Sequence, residues 1–419
     1  MPSGDSEGLP EKILKEANHL LKGKKSDTMP DSICPSVLRD YVKRIDNFSC
    51  DGCGPVSSDK YNFKNSDEVL KKSVPVTMEN RKESGLDGLV KGLAAVIINT
   101  ESSNFTPAVK DLLDFTGLKL HSSHENDNFR EAVLKVDNSA DFLVRNRKKG
   151  ENPFLPYNAG PKTREFPNTR LETFVFETPN LEKYVDIQKE RGVNFLTDNI
   201  VHRDEYSFIQ TIPSSFTGNS LGFIEWKGQR GKYISGEDEL LEMDLEKSAS
   251  DYLSNVKYLD HAATRLESQN RDAAIIEYME LTNYKFDFAI YVKSFNSITN
   301  VARLSDRDYA QVFTTGISPF TTLEESGPTE KFVHNYGPRV HHMAFHTEHI
   351  EDTFEGLVQD GMEFLLELVG SPDEGLKQTF TKGSKSTYLV NEYIHRYGDF
   401  DGFFTRSNVT ELTRATDAQ

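Results

Sequence analysis

Short runs of β-branched and aromatic residues alternate with amphipathic helical segments along most of the chain. The runs include Ala94–Ile98, Thr173–Phe176 and Phe288–Val292, whose residue types favour strands. Between them, apolar residues recur every three to four positions, as in helices that bury one face. The order of a strand, a helix and further strands then repeats. This pattern predicts an α+β protein with a sheet in each repeated unit.

The first part of the chain has a different pattern. Residues 1–86 are polar and rich in lysine, with two short amphipathic helical patterns at Ile13–Leu21 and Val37–Ile45. We therefore expect residues 1–86 to form a polar helical extension. Within it, Cys50 and Cys53 have the spacing of some redox and zinc sites, but no second such pair follows, so we assign them no function.

The later part of the chain contains an internal repeat. Leu112–Leu120 resembles Tyr278–Phe286, with the shared threonines 166 positions apart. Arg191–Leu196 resembles Asp360–Leu365, with the shared glycines 169 positions apart. Because two independent pairs of segments agree in their offset to within three residues, we predict two copies of one domain.

We place the two copies at residues 87–235 and 250–419. In each copy, helices must cover one face of the sheet, which leaves the other face free to curl around a ligand. The sequence therefore predicts two cupped sheets with helices outside. Duplication by itself can serve stability alone, so a function should show as polar residues that differ between the two cups.

The charge balance restricts the classes of partner. Lysine and arginine number 49 against 66 aspartates and glutamates, which gives a net charge of −17 spread along the chain. Such a surface repels phosphate backbones and anionic lipids, so we expect no nucleic acid and no membrane as partners. No apolar run approaches the roughly 20 residues of a membrane span. Three cysteines and the lack of an apolar leader segment predict a cytoplasmic protein.

The histidines distinguish the two copies. Five of the 11 histidines lie between positions 334 and 349. When the second copy is projected onto the first by the offsets above, His261 falls on Ala95 and His342 falls on Thr173. The second copy thus has a histidine on the first strand of each of its modules, where the first copy has none.

A glutamate completes the set. The last strand of the second copy carries Glu392 and that of the first copy carries Glu225, so we expect these two glutamates to be equivalent. Only the second copy then collects two histidines and a glutamate around one cavity. We predict that His261, His342 and Glu392 bind a metal ion. His346 is an alternative to His342, because residues 342, 344 and 346 share a strand face.

This combination of ligands suits iron(II). Two neutral imidazoles and one carboxylate on one side of an ion leave the other side open for a chelating substrate and for dioxygen. Zinc accepts the same ligands. A lone histidine on a strand is more often structural, so the prediction depends on the joint placement of all three residues.

In these segments the sequence resembles the vicinal oxygen chelate superfamily, and within it the 4-hydroxyphenylpyruvate dioxygenase family. Tyr258–His261 and Val340–Ile350 are similar to the two strands that carry the family's histidine ligands. Gln378–Lys382 and Glu392–Arg396 are similar to its Gln-x-Phe-Thr-Lys and Glu-x-Ile-Gln-Arg motifs, and Gly402–Phe403 to the start of its C-terminal lid helix. The resemblance implies tandem vicinal-oxygen-chelate domains, each an open curved β-barrel with outer helices.

The resemblance also implies roles for single residues. The predicted triad would hold iron(II), Gln378 would contact the substrate, and Phe380 and Phe403 would sandwich its ring. Three more substrate-binding candidates stand where the sequence departs from the family: His341 in place of a glutamine, Asn300 in place of a strand serine, and Ser318 in place of a Pro-x-Asn loop. These departures change the groups that would contact the far end of the substrate, which puts the family's own substrate in question.

The implied activity is an iron(II)-dependent dioxygenase of an aryl 2-oxo acid, as in tyrosine catabolism. Its partners would be the 2-oxo acid, dioxygen and a second copy of the chain in a homodimer. An extradiol dioxygenase or a 4-hydroxymandelate synthase-like enzyme would use the same metal ligands, and a non-catalytic ligand-binding protein would keep the same cup. Gln378, Phe380 and Gly402–Phe403 favour the 2-oxo acid dioxygenase.

Overall fold

The computed structural model describes residues 63–400 and 402–419. The helical patterns predicted at 13–21 and 37–45, and Cys50 and Cys53, lie outside the described residues. Within the described part of the chain there are seven α-helices and no helix with both the length and the apolarity of a bilayer span. The helices are α1 (Glu68–Glu83), α2 (Phe105–Phe115), α3 (Leu181–Glu190), α4 (Arg271–Leu281), α5 (Pro328–Tyr336), α6 (Ile350–Gln359) and α7 (Arg406–Ala415).

The strands of the described residues form two sheets. The first sheet contains β1 (Leu93–Asn99), β2 (Lys119–Glu125), β3 (Phe129–Lys135), β4 (Asp141–Arg147), β5 (Arg170–Glu177), β6 (Val201–His202), β7 (Tyr206–Gln210), β8 (Ser220–Trp226) and β9 (Glu239–Leu240). The second contains β10 (Val256–Arg265), β11 (Lys285–Val292), β12 (Ser297–Arg303), β13 (Ala310–Gly316), β14 (Arg339–Thr347), β15 (Val369–Ser371), β16 (Leu376–Phe380) and β17 (Val390–Arg396).

The two sheets share one topology. The first runs β6-β7-β8-β5-β1-β4-β3-β2-β9, and the second runs β15-β16-β17-β14-β10-β13-β12-β11. In each, the two central strands are antiparallel to one another and each has one parallel neighbour. Both sheets are curled half-barrels with helices outside. The predicted α+β fold with tandem copies of one domain is therefore confirmed.

Each copy has its own additions. In the first sheet, β9 pairs with β2 through His124 and Glu125, so this sheet includes residues as far as Leu240. In the second domain, the C-terminal helix α7 packs against β11, β15 and β16 instead. This helix therefore lies close to the interior of the second barrel.

The two domains share a hydrophobic core. All seven residues of β1 are buried, because this central strand is covered on both faces and its apolar residues alternate between the two. Phe142 of β4 stacks on Phe345 of β14, with the ring centroids 5.8 Å apart. Phe176 of β5 contacts Tyr284 edge to face at 5.3 Å. These contacts fix the position of the second barrel relative to the first.

Helix α1 ties the described end of the polar extension to the second domain. Arg81, in the last turn of α1, is 4% exposed. Its Nη1 donates to the carbonyl oxygens of Met279, Thr282 and Tyr284, at 3.1, 3.1 and 2.5 Å. Because these carbonyls lie at the C-terminal end of α4 and just beyond it, the cation also complements that helix end.

Candidate metal centre

Strand pairing brings the three predicted ligands together. His261 of β10 pairs with Ala344 of β14, and Ala344 pairs with Glu392 of β17. His342 precedes Ala344 by two residues and therefore lies on the same face of β14. The three side chains thus stand on three adjacent strands and converge inside the second barrel.

The ligand atoms meet at one point. The Nε2 atoms of His261 and His342 lie 3.1 and 3.3 Å from Glu392 Oε2, and one ligand atom of each residue lies within 4.8 Å of the others. Donors bound about 2.1 Å from one ion at right angles are about 3 Å apart, so the spacing suits a metal ion. All three side chains are buried, and Glu392 Oε1 has no hydrogen-bond partner among the described residues. The triad therefore fits a divalent metal.

Asp260 orients His261. Its Oδ1 lies 2.8 Å from His261 Nδ1, and Arg396 holds the same carboxylate at 2.6 and 3.0 Å. Burial alone would lower the pKa of His261, but the Glu392 and Asp260 carboxylates outweigh it and raise this pKa to about 9. Burial alone would raise the pKa of Asp260, but Arg396 and His261 hold it well below its usual value. A carboxylate on the outer nitrogen is typical of metal-binding histidines, because it fixes the tautomer that leaves Nε2 free.

His341 supports His342 from behind. The register between β10 and β14 shifts at His341, so this residue is the extra one of a β-bulge and its ring lies beside that of His342. The two Nδ1 atoms are 2.8 Å apart, and His341 Nε2 lies 2.7 Å from Gln419 Oε1. Burial holds the pKa of both histidines well below the usual value, so both are neutral. We assign donation from His342 Nδ1 to His341 Nδ1, which leaves His342 Nε2 free for a metal.

This position differs from the predicted one. We expected His341 to contact substrate, but it does not line the cavity beside the triad. It contacts a predicted ligand instead, because the bulge and Gln419 keep its ring behind His342.

A small cavity of about 40 Å³ borders His342 and Glu392 of the triad. Val409, Leu412 and Thr413 of α7 form one of its walls. Gln378 and Phe380, both predicted to contact substrate, line it as well. The Phe380 ring lies 4.6 Å from the His342 ring. Both side-chain amide atoms of Gln378 are buried without a hydrogen-bond partner among the described residues.

The second predicted phenylalanine lies one residue from the cavity wall. Phe403 contacts His261 edge to face at 5.4 Å and lies under the guanidinium of Arg396 at 4.7 Å. Phe404 contacts His261 at 5.1 Å and lines the cavity. The aromatic pair on the cavity wall is therefore Phe380 and Phe404, with Phe403 packed behind.

Asn300 and Ser318 are not on the cavity wall. Asn300 faces the helix layer, where its Oδ1 accepts a hydrogen bond from Arg271 Nε at 2.8 Å. Its neighbour Thr299 lines the cavity, because successive strand residues point to opposite faces. The backbone N–H of Ser318 donates to Asn296 Oδ1 at 2.8 Å in the turn after β13. The prediction that Asn300 and Ser318 contact the substrate is therefore wrong for this cavity, because neither side chain lines it.

The structure also decides two further expectations about the ligands. His346 stacks on Tyr258 at 4.9 Å and is outside the triad, so it is not the alternative to His342. Glu225 is not the equivalent of Glu392, because Gly222 holds the corresponding place on β8 opposite Val175. The carboxylate of Glu225 instead accepts a hydrogen bond from the backbone of Leu181, at the start of α3.

Several residues of the cavity wall were not predicted from the sequence. Among them are Arg265, Thr299 and Phe404. For Arg265 a signal was present, since it follows His261 by four positions on one strand and must share its face. For Thr299 and Phe404 the segment was found, but not the residue within it.

Comparison with known proteins gives matches in structure only. No protein-family model matches the sequence, and no curated protein matches it by sequence. A triple mutant of 4-hydroxymandelate synthase from Streptomyces coelicolor is similar in structure, with a TM-score of 0.58, 15% identity and coverage of 78% of this chain and 98% of that one.

A xylose isomerase-like TIM barrel/4-hydroxyphenylpyruvate dioxygenase fusion protein is also similar, with a TM-score of 0.58 and 11% identity. The match covers 88% of this chain and 61% of the fusion protein. At these identities the likeness concerns the fold. The chain therefore has the tandem vicinal-oxygen-chelate fold of 4-hydroxyphenylpyruvate dioxygenase-like proteins.

Proposed function

We propose that the protein is an iron(II)-dependent oxygenase of a 2-oxo acid. The observation that carries the proposal is the buried triad of His261, His342 and Glu392, which brings two imidazole nitrogens and one carboxylate oxygen within 4.8 Å of one another. Such a set leaves room on the ion for a chelating substrate and for dioxygen. The cavity beside the triad marks where the substrate's tail would lie, and because it measures about 40 Å³, its walls, including α7, would move apart to admit that tail.

The proposed reaction consumes one 2-oxo acid and one dioxygen. The bond between the keto carbon and the carboxylate carbon breaks, and carbon dioxide leaves. One oxygen atom enters the new carboxylate, and the other forms a hydroxyl group on the substrate's tail. The four electrons that reduce dioxygen come from the substrate, so no other reductant is required. Bound iron(II) would supply chelation of the 2-oxo acid and activation of dioxygen.

The chain's own residues would bind and shield the substrate. Gln378 has a buried amide free to hydrogen-bond a substrate oxygen. Phe380 and Phe404 offer ring faces and edges for the tail to pack against. Leu412 and its neighbours on α7 would exclude water during turnover.

A finer proposal concerns the substrate. An aryl 2-oxo acid, as in tyrosine catabolism, agrees with the two rings of the cavity and with the names of the structural neighbours, a 4-hydroxymandelate synthase and a 4-hydroxyphenylpyruvate dioxygenase fusion. The homodimer and the cytoplasmic location expected from the sequence remain predictions.

The test is anaerobic reconstitution with iron(II), followed by addition of phenylpyruvate or 4-hydroxyphenylpyruvate and then of oxygen. We expect a visible absorption band before oxygen is added, then uptake of oxygen matched by release of carbon dioxide. Glu392→Gln should abolish both, whereas Glu225→Gln, on the matching strand of the first domain, should abolish neither. Equal activity of the Glu392→Gln variant would refute the proposal.

The products separate the alternatives. A hydroxyl on the ring indicates 4-hydroxyphenylpyruvate dioxygenase-like chemistry, and a hydroxyl on the carbon next to the ring indicates chemistry like that of 4-hydroxymandelate synthase. Oxygen uptake with catechols but without release of carbon dioxide would indicate an extradiol dioxygenase. Binding of these acids without any oxygen uptake would indicate a ligand-binding protein.

A further inference from the structure

The cavity beside the triad contains a buried cation that the proposed function does not use. Arg265 stands at the end of β10, four residues after His261, and faces the same side of that strand. It is 4% exposed and lines the cavity together with His342 and Gln378. The Arg265 side chain is therefore part of the wall of the cavity in which a substrate would bind.

The guanidinium is only partly satisfied by the protein. Arg265 Nη2 donates to Thr416 Oγ1 at 2.8 Å, and the group lies over the Phe332 ring at 5.0 Å. Nη1 is buried without a hydrogen-bond partner, and no ion pair with a carboxylate joins Arg265 in the part of the chain that the structure describes. Burial lowers the pKa of Arg265 to about 9, so the group stays cationic at neutral pH.

Other buried arginines differ from Arg265. Arg271 is fully buried but pairs with Asp67 and Asp272. Arg339 also has an Nη1 without a partner, but it does not line this cavity and donates to a backbone carbonyl. A buried charge without a counter-charge destabilises the folded protein. Of these three arginines only Arg265 lines the cavity, so an anion bound there would neutralise the charge of Arg265 and not that of the other two.

The charges around the cavity indicate what that anion should be. A divalent ion, the Glu392 carboxylate and the Arg265 guanidinium together give a net charge of two positive units, and the nearby Asp260–Arg396 pair is neutral overall. A simple 2-oxo acid brings one negative charge, which chelation places at the ion. A second carboxylate at the other end of the same molecule would neutralise the remaining positive charge, which lies at the Arg265 guanidinium.

We propose that Arg265 binds a carboxylate at the far end of the substrate, so that the substrate is a 2-oxo acid with a second carboxylate on its tail. The proposal rests on the proposed function, which puts the 2-oxo carboxylate at the metal. A guanidinium recognises a carboxylate through parallel N–H donors, and the unpartnered Nη1 is available for this contact. The amide of Gln378 can serve the same group or the oxygen atoms nearer the metal.

The experiment compares matched pairs of acids that differ in the second carboxylate. The pairs are 2-oxoglutarate with 2-oxopentanoate, and 4-carboxyphenylpyruvate with phenylpyruvate. Dissociation constants are measured by anaerobic calorimetry on the iron(II)-loaded protein. In at least one pair we expect the wild type to bind the diacid about 10- to 100-fold more tightly, as for a hydrogen bond between charged groups.

Substitutions assign this preference to Arg265. Arg265→Met should abolish the preference for the diacid, because the hydrogen-bonded charge pair with the second carboxylate is lost. The monoacid makes no such pair and should still bind within about threefold of wild type. Thr416→Val is the matched control, since it removes the other partner of the guanidinium but keeps the cation, and it should retain the preference. If Arg265→Met does not fold, Arg265→Lys should show an intermediate preference, because a single ammonium replaces the planar donor pair.

Two results would overturn the proposal. One is equal binding of diacid and monoacid by the wild type in both pairs, and the other is a preference that survives in Arg265→Met. Equal binding with oxygen uptake for all four acids would remove the assignment of Arg265 and leave the oxygenase intact. Absence of oxygen uptake with every 2-oxo acid would instead remove the proposed function.

Discussion

Changing Asp260 to asparagine is expected to weaken metal binding by about 10- to 100-fold, as for other groups that orient a metal-binding histidine. The Asp260 carboxylate lies 2.8 Å from His261 Nδ1 and is held by Arg396 at 2.6 and 3.0 Å. An asparagine keeps the shape, but its neutral oxygen makes a weaker acceptor and leaves Arg396 without its counter-charge. Breaking such a pair costs about 3 kcal/mol, at the low end for buried pairs because the Arg396 side chain is 19% exposed.

The assay must separate loss of metal from loss of stability. Metal affinity is measured by competition with a chelator, and the free energy of unfolding of the metal-free protein by urea titration. Glu172→Gln is a matched control, because Glu172 is buried and pairs with Arg147, whose side chain is also 19% exposed, but in the first domain. This control should lose stability to a similar degree and bind metal as wild type does.

The pH dependence follows from the sign of the Asp260 shift. Because its pKa is held below the usual value in the folded protein, the stabilisation is present above about pH 4 and is lost as the pH falls. The difference in unfolding free energy between wild type and Asp260→Asn should therefore shrink in acid. If Asp260→Asn lost stability but bound metal as tightly as wild type, Asp260 would be a structural ion pair only and the orienting role would be refuted.

Other expectations concern separate parts of the molecule. Burial raises the pKa of Glu330 to about 7. The free energy of unfolding of wild type should therefore fall by up to about 3 kcal/mol as the pH rises from about 4.5 through 7 and Glu330 ionises. In urea titrations at pH 5 and pH 8, the unfolding free energy of Glu330→Gln should fall less between the two pH values than that of wild type. Arg81→Met should lower the unfolding free energy by about 2 kcal/mol in the same assay through loss of the hydrogen bonds to α4, whereas exposed Lys82→Met should change it by less than about 0.5 kcal/mol. His341→Leu should weaken metal binding about tenfold in chelator competition, and exposed His334→Leu should not.

The repeat in the sequence predicted the architecture and placed His261 and His342 on the two central, paired strands of the second sheet. The offset of 169 that placed His342 on Thr173 also relates Ala344 to Val175, and these two residues do hold equivalent places, opposite His261 and Ala95. A strand pattern preserves such offsets as long as no residue is inserted between the paired segments. The spacing of apolar residues and the offset between the repeated segments can both be read from the sequence, so the sequence alone was sufficient to predict the architecture.

The remaining errors have a common physical origin. Between His342 and Glu392 the second copy is one residue longer than the first copy between Thr173 and Gly222, and nothing in the sequence shows where the loops differ. A shift of one residue also exchanges the two faces of a strand, which is why Asn300 was chosen and not Thr299. The β-bulge at His341 likewise depends on pairing with β10, a contact distant in sequence.

The two copies differ in the space inside the sheet as well as in the candidate ligands. At the place of Glu392 the first domain has Gly222, where an added Cβ would lie 2.9 Å from the Phe208 ring. That ring packs with Trp226 and Tyr206 against the apolar inner face of the first sheet. Placing two histidines and a glutamate in the first copy would therefore not create a metal site, since the space for an ion and its substrate is filled. At the corresponding place the second barrel has a cavity of about 40 Å³ with α7 as one wall, so among the described residues the room for a metal site lies in the second copy.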